Sequence, residues 1–128
     1  MKMRTALYIV LAILFSGLIV VQLGMLSGSR PDDLGVHAAQ LKPPSATRNS
    51  VSSQAALYPD HPQRSYAEIQ PLPLKNASTA SAMTALLTTL QSLPNITVIE
   101  QTPDYIYAQA QTPWLKFAPV AEVNQDSL

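Results

Sequence analysis

The sequence contains no cysteine, which excludes disulfide bridges, thiol nucleophiles, iron–sulfur clusters and thiolate zinc sites together. It also lacks net charge, because eight Lys and Arg balance eight Asp and Glu. No run of basic residues forms a phosphate-binding stripe, so nucleic acid is not expected among its partners. His37 and His61 are the only histidines. Neither has a second ligand at a zinc-motif spacing, and no metal or cofactor is expected. Four glycines stand against eleven prolines in 128 residues. That balance points to long, stiff irregular stretches and leaves no Gly-x-Ser-x-Gly elbow for a nucleophile. A chain of this length holds at most one ordinary domain and an appendage.

Charge is missing altogether from Thr5 to Ser29, and Leu7–Leu26 is almost wholly apolar. Twenty residues rising ~1.5 Å each span roughly 30 Å, the hydrocarbon thickness of a bilayer. Lys2 and Arg4 precede the run, so the N-terminus is expected to stay cytoplasmic and the remainder to be exported, on the periplasmic side of the inner membrane in a bacterium. Residues 1–29 thus read as an uncleaved signal-anchor with residues 5–26 in the lipid bilayer. A cleaved signal peptide competes, with Ser27-Gly28-Ser29 as its only small-x-small site. Gly24 and Gly28 match the GxxxG helix-pairing pattern, but at a membrane edge glycine more often marks the exit from a helix.

Residues 30–75 hold seven of the eleven prolines and show neither helical nor strand periodicity, so they read as an extended segment that either wraps a domain or tethers it. Residues 76–128 change character. Met83, Leu86, Leu87 and Leu90 fall at i, i+3, i+4 and i+7, one face of a helix capped by Asn76 or Ser78 and stopped by Pro94. Ile96–Glu100 and Tyr105–Gln111 read as two strands of an antiparallel hairpin around Thr102-Pro103-Asp104. Along the second strand Ile106, Ala108 and Ala110 alternate with Tyr105, Tyr107 and Gln109. Trp114–Phe117 is expected to be a third strand. The fold class is therefore α+β: one transmembrane helix, then a small domain with one helix on a short antiparallel sheet. A core of ~50 residues buries little apolar surface, and a further strand is wanted where the chain runs into Val-Asn-Gln-Asp-Ser-Leu.

The stretch LKPPSATRNSVSSQ, residues 41–54, resembles the signature of a family known as domain of unknown function 1499. Its pattern runs roughly Leu-x-Pro-Cys-Pro-x-Ser-Pro-Asn-Cys-Val-Ser-Ser. Leu41, Pro43, Asn49, Val51, Ser52 and Ser53 stand at matching places, with Thr47 a near match. Arg30–Gly35 resembles the lead-in, Ile69–Pro73 a later Ile-x-Pro-Leu-Pro step, and Phe117 and Glu122 follow in order, so the likeness spans about residues 30–123. Pro44 and Ser50 occupy the two cysteine positions, and Ala39 replaces a glycine. The resemblance implies a further strand and helix after Leu128. The resemblance implies no reaction. If the relatives' cysteines act as a pair, losing both avoids an odd thiol in an oxidising space.

Ser52 or Ser53 with His61 and Asp60 supplies the residue types of a serine hydrolase, but serines also gather in proline-rich loops for turn-making. Asp60-His61 as an ion site and Asp32-Asp33 as calcium ligands both lack further donors nearby. Asn76-Ala77-Ser78 and Asn95-Ile96-Thr97 fit the glycosylation pattern. Tyr105, Tyr107 and Trp114 could form a binding platform or cover the second face of the sheet. The favoured reading is a non-catalytic binding or scaffold module of the cell envelope. It would use those aromatics together with the loop Asn49, Val51, Ser52 and Ser53, and another envelope protein would complete the domain. The alternatives are the Ser52/Ser53–His61–Asp60 hydrolase and a degenerate, shortened family member.

Overall fold

The computed structural model describes residues 2–25 and 30–128. The Ser27-Gly28-Ser29 site, and Gly28 of the glycine pair, lie outside the described residues. Helix α1 (Lys2–Gln22) is apolar all round and exposed along its length, the character of a helix made for a non-aqueous solvent. It is long and apolar enough to cross a membrane, although a signal sequence has the same length and composition. Ser16 is accommodated because its hydroxyl donates to the Ala12 carbonyl, 2.7 Å away. Gly24 ends the helix in the left-handed region, at φ +72°, as expected of a helix-exit glycine.

The second half folds largely as its periodicity dictates. Helix α3 (Thr79–Ser92) begins where the Ser78 hydroxyl accepts the Ser81 N–H at 3.2 Å. It ends because Leu93, preceding Pro94, is forced into extended backbone. Met83 is buried and Leu86, Leu87 and Leu90 are half-buried, while Ser81, Thr84, Thr88 and Gln91 face solvent. Strands β1 (Ile96–Thr102) and β2 (Tyr105–Ala110) form the expected hairpin, closed by Pro103-Asp104. A register shift between Val98 and Glu100 places Glu100, instead of Ile99, opposite Tyr107. The short helix α2 (Arg64–Ala67) lies between α1 and α3 in the chain.

The third strand departs from expectation. Trp114–Phe117 is a loop, held by Thr112, whose N–H donates to the Phe117 carbonyl and whose hydroxyl accepts the Phe117 N–H. The strand is β3 (Val120–Asn124), antiparallel to β2, giving the order β1-β2-β3. Long-range pairing of Tyr107 with Glu122 decides this, outweighing the local β-propensity of the aromatic run.

Residues 30–75 wrap the sheet. Leu41 and Leu34 pack on Tyr105 and Tyr107, and Arg30 lies 4.9 Å over the Tyr107 ring while pairing with Glu100. By alternation Ile106 and Ala108 face the other way, where α3 packs on β1 and on the turn Gln125–Ser127. The wrapping segment reverses at Ala38-Ala39, both left-handed at φ +51° and +64°, with His37 and Gln40 bonded across the turn. An L side chain is strained there, so Ala39→Gly is expected to raise stability by roughly 1 kcal/mol in denaturant melts.

Candidate functional site

Wrapping leaves a groove of about 930 Å³ between the segment Leu41–Ser53 and β3. The first wall descends from the chemistry of the loop. Ser50 Oγ accepts the Ser45 N–H at 2.7 Å, which closes the loop between them. The Ser52 carbonyl and N–H bond to Ile69 and Ala67, which fixes Val51, Ser52 and Ser53 along the groove. Ile69 and Leu72 floor it, and Pro119, Val120 and Glu122 form the opposite wall.

The β3 wall is a sheet edge with backbone groups to spare. The Ala110 N–H donates to the Pro119 carbonyl at 3.0 Å, which sets the phase of the ladder. Alternation in an antiparallel pair then turns Ala121 and Val123 toward β2. Val120 and Glu122 direct their N–H and C=O groups away from β2, into the groove. The charged side chains there are committed to the fold. Glu122 Oε1 accepts the Gly35 N–H at 2.7 Å and the Tyr105 hydroxyl at 2.8 Å, Lys42 pairs with Asp33 and Arg30 with Glu100. The Lys42 hydrogen bond holds the Asp33 carboxyl below the usual carboxylate range.

Burial first, and the bond to Glu122 second, push the Tyr105 hydroxyl well above its ordinary 10.0. Because the folded value is the raised one, the stability gained is complete below about pH 10. It is lost as pH rises further, when only the unfolded chain can ionise. Stability is expected to fall by up to about 1.4 kcal/mol per pH unit on that limb. Tyr105→Phe should be about 1 kcal/mol less stable at neutral pH, through the lost hydrogen bond, and lack the limb in pH-dependent unfolding.

Asn49, Val51, Ser52 and Ser53 all line the groove. Tyr105 and Tyr107 do not form an open platform, since they are 4 % and 1 % exposed beneath Leu34 and Leu41. Trp114 stands apart from both, 82 % exposed on its loop. Among the described residues no hydrogen bond joins Ser52 or Ser53 to His61 or Asp60: Ser52 Oγ accepts the Gln54 N–H and His61 Nδ1 the Gln63 N–H, and the groove is lined by Ser52 and Ser53 but not by His61 or Asp60. Among the described residues no three His, Asp or Glu side chains could hold a metal ion.

Sequence reasoning missed the polar clasp beneath the groove. Gln54 Oε1 accepts the Leu41 N–H at 2.8 Å, and its Nε2 donates to Asn124 Oδ1 at 2.9 Å. Asn124 Oδ1 also accepts the Ser127 hydroxyl, and Asn124 Nδ2 donates to the Ala39 carbonyl. All three side chains are buried. Gln54 directly follows the signature serines, the one local signal that pointed to it.

A family model described as "Protein of unknown function (DUF1499)" matches residues 40–126, from the groove-lining loop to the clasp. No curated protein and no solved structure matches the chain.

Proposed function

The chain belongs to the DUF1499 family, and from that premise we propose that it is a membrane-tethered, exported binding module that captures an extended polypeptide segment of another cell-envelope protein. The observation that carries this reading is the groove, in which an unpaired strand edge faces the family's signature loop. An extended chain laid along β3 would bond to the N–H and C=O groups of Val120 and Glu122, and its alternate side chains would enter the space beside Val51, Ile69 and Leu72. Strand addition of this kind completes a three-stranded sheet without chemistry, which suits a groove whose charges are all engaged. Lys2 and Arg4, preceding α1, favour a cytoplasmic N-terminus and an exported domain.

The test is Val120→Pro. Its N–H points into the groove, and proline is tolerated on that side of an edge strand because the β2 ladder is untouched. Full-length protein extracted in mild detergent is expected to carry a stoichiometric polypeptide, and the V120P form to lose it at unchanged melting behaviour. Wild-type complexes without any polypeptide, or V120P complexes that retain it, overturn the reading.

A further inference from the structure

Among the described residues α1 and the loop Thr112–Phe117 both expose consecutive large apolar side chains, and the loop does not line the groove. Trp114 is 82 % exposed, Leu115 50 % and Phe117 48 %. Buried surface does not hold this loop in shape; its hydrogen bonds to Thr112 do, including the Lys116 N–H to the Thr112 carbonyl at 3.2 Å. A backbone braced to hold tryptophan, leucine and phenylalanine in the open, with a lysine among them, has the composition of a membrane-interface anchor. Tryptophan settles at headgroup depth, and a lysine stem lies along apolar surface while its ammonium stays in water.

The chain's own covalent length places a bilayer within reach. Five peptide steps separate Met25, three residues past α1, from Arg30, at most ~18 Å of extended chain. Arg30 and Ala118, the residue that follows the loop, line the same groove. A domain whose Arg30 is held that close to a bilayer has the base of the loop within the span of one groove from that point.

We infer that Trp114, Leu115 and Phe117 insert into the lipid interface as a second membrane contact, fixing how the domain stands on the bilayer. This rests on α1 spanning that bilayer. Two points of attachment, a helix and a braced loop, convert a swinging tether into an oriented platform, and the groove edge is then presented at a set height.

Trp114 is the only tryptophan in the chain, so its fluorescence reads the loop alone. Full-length protein is reconstituted into phosphatidylcholine vesicles, with and without bromine on the acyl chains, and floated on a density gradient. Expected results are co-flotation, blue-shifted emission and strong quenching by the brominated lipid. The double variant Leu115→Ser/Phe117→Ser keeps the backbone bonds to Thr112, and it should float equally while losing most of the quenching. Flotation with red, unquenched emission overturns the loop contact and leaves the α1 anchor standing. Blue but unquenched emission overturns it in favour of a protein cover. Quenching that survives in the double variant also overturns it, and failure to float removes both anchor and loop.

Discussion

Asn124→Ala is expected to lower the folding free energy by about 3–5 kcal/mol, a large share of the ~5–15 kcal/mol available to a domain of this size. Asn124 is 3 % exposed and joins three parts of the chain. Its Oδ1 accepts from Gln54 and Ser127, and its Nδ2 reaches the Ala39 carbonyl. Alanine removes every one of these bonds while leaving two donors buried, each costing about 1–3 kcal/mol when it has no partner. Gln54→Ala breaks the same clasp from the other side by freeing the Leu41 N–H. The double variant should therefore cost clearly less than the two singles added together. Denaturant melts followed by near-ultraviolet circular dichroism suit the measurement, because the buried tyrosines report the domain while α1 dominates the far-ultraviolet signal. Additive losses would show that Gln54 and Asn124 do not act as one network.

Tyr107→Ala should cost a similar amount, about 3–5 kcal/mol, as for other large aromatic truncations in a core. The ring is 1 % exposed, packs in the cluster of Leu41, Tyr105 and Leu34, and carries the Arg30 guanidinium on one face. Its removal loosens the wrapping segment before the hairpin. Native-state hydrogen exchange is expected to speed up most at Leu41, whose protection depends on the wrap, and least along β1. Equal acceleration throughout would mean that wrap and sheet open as one unit.

Local signals in the sequence were enough for α1, α3 and the β1–β2 hairpin, because each depends on its own periodicity and caps. Ser78, Pro94 and Pro103 mark boundaries that the structure keeps within a residue or two. The third strand was not legible in this way. Trp-Leu-Lys-Phe has more intrinsic strand character than Val-Ala-Glu-Val-Asn, and only partners along β2 reverse the preference. Alternation separated the tyrosine face from the isoleucine face, yet Tyr105 and Tyr107 are covered by residues more than sixty positions earlier. Gln54 and Asn124 have the composition of surface residues, and only the closed structure explains why each is buried. The signature loop was recognisable as one wall of the groove. The facing wall was not, since an edge strand is defined by what fails to pair with it.

The wrap has a further consequence for the order in which the domain can be made. Gly35 bonds to Glu122, 87 residues later, and Ala39 to Asn124, 85 residues later. At ~5–20 residues per second, a ribosome needs roughly 4–17 s to supply those partners. For most of that interval, until β2 is made, Leu34 and Leu41 have no tyrosine face to cover. Folding must wait until β3 has emerged, and its rate is set by closing one very long loop instead of by its helix or hairpin. Within the domain that follows α1, a chaperone would therefore meet residues 30–54 first and hold them longest.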